Sequence, residues 1–215
     1  MENLERYARL FDIVYPNYGD ARYREIQGLI ERYDVPDARN YVTSNEFAKA
    51  ASLIEPLTAI KNYKSQVPYP EEISRVVACI IQIRTAMIDP ADLLGTVRQS
   101  VMTMLNSQGF QLPTTSAILH FCHPKHFPIV DVNIEAACAL IETRSASQFA
   151  SIPVPSLPRP HKRPLAKIEH YLGFIRFLSQ VVELQRAFFA GADYRYVDKA
   201  LMVLGVDRLR EQVEC

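Results

Sequence analysis

The apolar positions of this chain recur at helical spacing, and no stretch alternates as a half-buried strand does. Residues 22–34 place Ile26, Leu29, Ile30 and Tyr33 on one stripe, after the turn residues Asn17, Gly19 and Asp20. Residues 45–63 predict a second helix on Phe47, Ala50, Ala51 and Ile54, kinked or divided at Pro56. Pro70 and Glu71 open a third, running to Met87 on Val76, Val77, Ile80 and Ile83. Asp89 and Pro90 punctuate the chain before a helix over 91–106 that Gly109 ends. A shorter helix follows Pro113, and another starts near Asp131 with Ile134, Ala137, Cys138 and Ile141 in register. The longest is predicted from Pro164 to about Phe189, ended by Gly191, with short helices near 196–204 and 207–213 closing the chain. Between them lies SIPVPSLPRPHKRP, residues 151–164, whose five prolines exclude regular helix and predict an extended surface segment with a basic end. The pattern predicts an all-α fold in one domain over 1–215.

Composition narrows the class. Over 215 residues, 48% hydrophobic and 22% charged content is ordinary for a soluble globular protein. The best candidate for a membrane span, 76–83, is closed by Arg84 and is far too short. MENLERYARL carries acids early and has no apolar core, so it does not read as a signal peptide. The four cysteines (Cys79, Cys122, Cys138, Cys215) form no CxxC pair, and three lie in apolar helical stretches. They predict reduced thiols and a cytoplasmic protein. Net charge is zero, so a polyanionic partner must be met by a local patch.

The densest chemistry is HFCHPKHFPIVDVN, residues 120–133. His120, Cys122, His123 and His126 are all able to ligate zinc. Against that, Ala117, Ile118, Phe121 and Cys122 follow the spacing of a buried helical face, which turns Cys122 inward. His120 and His123 then share the opposite, exposed face near the helix C-terminus, and His126 lies beyond Pro124. That is not a closed four-ligand set, and no metal or other cofactor is expected.

Asp131 follows the apolar loop Phe127-Pro128-Ile129-Val130 and opens a helix. Aspartate there is a favoured N-cap. The same place suits catalysis, because the helix dipole and amide donors keep a carboxylate ionised and able to stabilise positive charge or orient a water. Asn133 is an alternative cap that would leave Asp131 facing a cleft.

The run from Gly109 to Ile141, GFQLPTTSAILHFCHPKHFPIVDVNIEAACALI, resembles the helix-hairpin-helix DNA glycosylase superfamily. Members carry a hairpin rich in Leu-Pro-Gly-Val-Gly, a helix starting near Thr-Ala, and a Pro-x-Val-Asp-x-His stretch with the essential aspartate. Gln111-Leu112-Pro113 stands at the hairpin turn, Ser116-Ala117 matches the Thr-Ala pair, Asp131 matches the aspartate, and Asn133 falls where many members have histidine. The stretch beginning Tyr194-Arg-Tyr-Val-Asp-Lys-Ala-Leu looks like one in uncharacterised bacterial relatives. The resemblance implies helices in two lobes around a cleft, a hairpin and catalytic segment over 109–142, and excision of a damaged or modified base from DNA.

Two departures shape that expectation. The hairpin lacks the glycines that let backbone approach a phosphate. The hydroxyls and amides of Thr114, Thr115 and Ser116 at a helix N-terminus, with Gln111, are then the candidate phosphate grip. Bifunctional members place a lysine near the position of Thr115, and threonine cannot form a Schiff base. The implied enzyme is therefore monofunctional: water attacks, an abasic site remains, Asp131 stabilises the oxocarbenium ion and Asn133 supports it.

Residues 159–176 hold Arg159, Lys162, Arg163, Lys167 and Arg176 against the single acid Glu169. Arg159, Lys162 and Arg163 are the main candidates for DNA phosphates, and Lys61, Asn62 and Lys64 form a smaller one. The expected partner is DNA, handled by a monomer without membrane association. A non-catalytic nucleic-acid-binding module on the same fold is the alternative, and a helical interaction domain with Asp131 only as a cap is a third. Repair and attack on foreign modified DNA, as in phage defence, are both compatible with this chemistry.

Overall fold

A computed structural model describes residues 1–16, 19–32, 70–107 and 110–214. Among these residues helices account for all regular structure, and β-type pairing is confined to an isolated bridge between Asp89 and Asp92. The chain is all-α. The helices are α1 (Glu5–Val14), α2 (Asp20–Arg32), α3 (Pro70–Thr85), α4 (Arg98–Asn106), α5 (Leu112–Cys122), α6 (Val132–Arg144), α7 (Ala146–Phe149), α8 (Pro164–Gln185), α9 (Tyr194–Leu204) and α10 (Asp207–Glu214). The helix predicted over 45–63 lies outside the described residues.

The contacts divide the chain into two compact units. One is residues 1–20 with 127–215, and the other is residues 21–126.

In the second unit α3 packs on α4 and α5 and buries Val76, Ile80 and Ile83 of the expected stripe, with Cys79 beside them. The helix predicted over 91–106 starts only at Arg98. Ahead of it, Asp89 Oδ1 accepts the Ala91 amide at 2.8 Å, and Asp92 N and Gly95 N bond to the Asp89 and Asp92 carbonyls. Aspartate competes with the helix for backbone donors here, and turns replace the first two helical turns.

In the first unit α9 is central, packing against α1, α6, α8 and α10. Helix α1 was not foreseen, although its buried Tyr7, Ala8 and Phe11 show the spacing of an amphipathic helix. Its entry is fixed by fully buried Gln185, which accepts from Leu4 N at 2.9 Å and donates to the Glu2 carbonyl at 2.9 Å. Its exit is fixed by charge. Lys199 Nζ on α9 reaches Asp12 at 2.6 Å and Asp20 at 3.3 Å. Beside it Arg195 pairs with Asp198 at 2.9 Å and lies over the Phe11 ring. The Arg195–Asp198 pair is shielded on both sides from the solvent that weakens surface ion pairs, whereas Lys199 is buried but its partners Asp12 and Asp20 face water.

Helix α8 begins at Pro164 as predicted but ends at Gln185, four residues short, because turns through Phe188 replace the last helical turn. The proline-rich segment between α7 and α8 has no regular structure.

Candidate functional site

Asp131 is the N-cap of α6, with extended backbone. Its Oδ1 accepts both the Asn133 and the Ile134 amide at 3.0 Å, satisfying two of the first turn's orphan donors. Asp131 itself therefore makes the cap, and Asn133 is directed elsewhere: its Nδ2 approaches Met202 Sδ on α9 at 3.9 Å. Behind the cap, Ile134, Ala137, Cys138 and Ile141 are buried, the register read from the sequence.

The carboxylate is half-buried and stands on a stiff support. The loop before it, 127–130, is buried throughout. Phe127 stacks on Tyr171 of α8, and the Tyr171 hydroxyl donates to the Pro128 carbonyl at 2.9 Å. Burial raises the Tyr171 pKa well above its ordinary value, so the phenol keeps the proton it donates. From the other side, Gly205 at the end of α9 lies against the Asn133 backbone. A Cβ at Gly205 would stand 1.9 Å from the Asn133 carbonyl oxygen, so only glycine lets the two helix ends approach this closely.

The basic segment belongs to the same unit and is fastened to the same helix. Leu157 N donates to Glu135 Oε1, one turn along α6 from Asp131, at 2.8 Å. His170 Nδ1 on α8 bonds to the Ser156 carbonyl at 2.7 Å, and because a carbonyl only accepts, this nitrogen carries the proton. These two bonds set residues 156–157, next to the cations, at a fixed place relative to the carboxylate. Arg159, Lys162 and Arg163 are exposed, as is Arg176. Lys167 is not part of that surface: it is buried, and desolvation lowers its pKa.

The histidines lie differently from expectation. His120 is fully buried, and its Nε2 meets the Tyr23 hydroxyl at 2.7 Å. His123 is half-buried and donates from Nε2 to the Ile83 carbonyl at 2.6 Å. The error came from assuming an exposed face. Leu112 and every residue from Thr114 to Phe121 are buried, so α5 has no outer side for histidine to occupy. Half-buried Cys122 is desolvated, its thiol pushed up to about 12. His126 is half-buried, its ring 6.5 Å from that of His123. Among the described residues no group of three metal-ligating side chains converges.

The same all-round burial changes the expected hairpin grip. Thr114, Thr115 and Ser116 are at most 1% exposed, and Ser116 Oγ turns back to the Pro113 carbonyl at 2.9 Å. The Thr114 and Thr115 hydroxyls are buried without a hydrogen-bond partner among the described residues. None of the three presents its hydroxyl to solvent. What the start of α5 offers outward is half-exposed Gln111 and backbone, and Pro113 removes one amide from that turn. Lys61, Asn62 and Lys64 lie outside the described residues.

Sequence reasoning missed Glu135, Tyr171 and Gly205. Each acts through a partner 22 to 72 positions away, so no local pattern marks it.

Among the described residues no helix is long and apolar enough to cross a membrane. Comparison of the chain with family models, curated proteins and solved structures returned no match.

Proposed function

We propose that this protein is a monofunctional DNA glycosylase of the helix-hairpin-helix type, which hydrolyses the N-glycosidic bond of a damaged or modified base in DNA. The observation that carries the reading is the coupling of Asp131 to the exposed cations through the Glu135–Leu157 bond on one helix. The carboxylate and the exposed cations lie in one unit, which supports the reading because base excision needs a carboxylate and a grip on the backbone together.

Capping and catalysis are compatible at Asp131. Accepting the two amides neither consumes nor moves the negative charge that the chemistry needs. As the bond from C1′ to the base nitrogen breaks, its electron pair leaves with the base and positive charge grows on the sugar. Negative charge at Asp131 stabilises that sugar, and a water adds to C1′ and gives up a proton, leaving an abasic site. The rigid backing by Tyr171 and Gly205 means the carboxylate need not reorganise as charge develops.

Asp131→Asn tests this, because asparagine caps a helix as well as aspartate and only the charge is lost. Oligonucleotides carrying oxidised, alkylated, deaminated or enzymatically modified bases are incubated with parent and variant, then treated with alkali. The parent cleaves only after alkali, and the variant excises about 10²–10³-fold more slowly while still binding DNA. Excision by the variant at the parental rate would remove Asp131 from the chemistry. DNA retained by the parent with no breaks on any substrate would make the protein a non-catalytic binder.

A further inference from the structure

The outer side of α8 carries a second feature that the Asp131 chemistry does not use. Between residues 152–156 and α8 runs a groove of about 270 Å³. Pro153 and Pro155 form one wall, Glu169, His170 and Arg176 the other, and Gly173 lies between them. The bond from His170 to the Ser156 carbonyl holds the walls together.

Gly173 calls for an explanation. It lies in the interior of a 22-residue helix, where glycine is less favourable than alanine. Nothing in the chain demands it, since a Cβ there would meet only Pro155 Cβ, at an ordinary 3.9 Å. What glycine does at 173 is leave the groove open. On either side of it stand opposite charges, exposed Glu169 and exposed Arg176. Neither has an ion-pair partner among the described residues. Seven residues of helix separate them by about 10.5 Å.

We infer that this groove is a nucleotide-binding site, with Arg176 taking the phosphate, Glu169 the hydrogen-bonding edge of the base, and exposed Pro153 and Val154 the ring and sugar. The volume lies just below the roughly 300 Å³ at which small-molecule pockets begin, so it holds no more than one nucleotide, whether free or one unit of a strand. A guanidinium receives a phosphate in a fork of two hydrogen bonds. A carboxylate only accepts, so it selects a base edge made of donors, and guanine, with its N1 and N2 donors side by side, matches it best. Pro153 and Val154, opposite a glycine without a side chain, give a planar ring an apolar surface to lie against. The nucleotide is free or part of a single strand, and the test separates the two.

The experiment follows the backbone amide resonances of residues 169–176 in isotope-labelled protein during titration with GMP, with UMP, and with a five-nucleotide single strand containing one guanine. GMP shifts these resonances with a dissociation constant of about 1 mM or tighter, and UMP binds more weakly. Arg176→Ala weakens GMP binding at least about tenfold, and Glu169→Gln removes the preference for GMP over UMP. Both are exposed positions, so the fold survives the substitutions. Tighter binding of the strand than of GMP identifies a strand site, and the reverse identifies a free-nucleotide site. The inference fails if neither ligand moves the resonances, or if both variants bind GMP as the parent does. The result is independent of excision: repeated in Asp131→Asn, GMP binding persists. Binding in a protein that excises nothing would sink the glycosylase reading alone, and excision without groove binding would sink this inference alone.

Discussion

Gly205→Ala should destabilise the protein, although the same change usually stabilises. Gly205 has φ −75° and ψ −4°, a conformation alanine adopts freely. On backbone grounds alanine would gain about 0.4–1 kcal/mol by restricting the unfolded chain. The steric side is opposite and larger. The new Cβ would stand 1.9 Å from the Asn133 oxygen, 2.7 Å from its carbonyl carbon and 3.0 Å from its Cα, where ordinary contact begins at 3.4 Å. These are backbone atoms, so no rotamer change relieves the clash and the ends of α9 and α6 must part by about 1.5 Å. Overpacking of this kind costs about 3 kcal/mol, the upper end of its usual range. The net loss is about 2 kcal/mol, or about 4–8 °C in Tm for a chain of this size. Gly173→Ala is the control, since its Cβ meets only Pro155 Cβ at an ordinary 3.9 Å and should raise stability by about 0.5–1 kcal/mol. Urea denaturation of the three proteins at a common m-value decides the matter. A Gly205→Ala variant as stable as the parent would show that α9 does not press on the Asp131 turn.

Three further outcomes follow from the same contacts. Neutralising Arg159, Lys162 and Arg163 together should weaken DNA binding and reduce the slope of log K against log salt by about 2–3, and an unchanged slope would make the segment ordinary surface. Tyr171→Phe leaves the buried Pro128 carbonyl without its donor and should cost about 1–3 kcal/mol in urea denaturation, so a parental midpoint would refute the support assigned to Tyr171. Burial raises the thiols of Cys79, Cys122 and Cys138 above their ordinary value of 9.0, Cys122 to about 12, so above pH 9 the unfolded chain holds fewer protons than the folded one. Stability is then fully present below pH 9 and falls as pH rises, by up to about 1.4 kcal/mol per pH unit and thiol, and a flat profile between about pH 8.5 and 10 would contradict it.

What the sequence made legible was local. The α6 start could be read because aspartate before an i, i+3, i+4, i+7 apolar series is a cap by its own chemistry, and Asp131 is one. The proline-rich segment could be read because proline excludes helix whatever surrounds it. Readings that needed a neighbour failed. The histidine face of α5 was assigned as if one side were wet, while packing encloses that helix completely. Lys167 was counted with the surface cations because nothing in its own stretch shows burial. The 91–97 stretch looked helical by composition, yet Asp89 and Asp92 captured its amides for turns. The site's supports are all of the second kind. Tyr171, Glu135 and Gly205 acquire their roles only when residues far apart in the chain meet.

The ion pairs of Lys199 bear on how the molecule comes into being. Asp12 and its lysine partner are 187 positions apart, and everything from 21 to 126 is threaded between the two parts of the unit they close. At about 5–20 residues per second of synthesis, α1 leaves the ribosome roughly 10–40 s before the segment that covers Tyr7, Ala8 and Phe11 exists. During that interval its apolar stripe has no native place to go. The intervening unit, continuous in sequence, is free to fold first, while α1 waits as an unprotected amphipathic segment. The birth of this protein is thus inside-out, and its most vulnerable moment falls at the beginning of the chain.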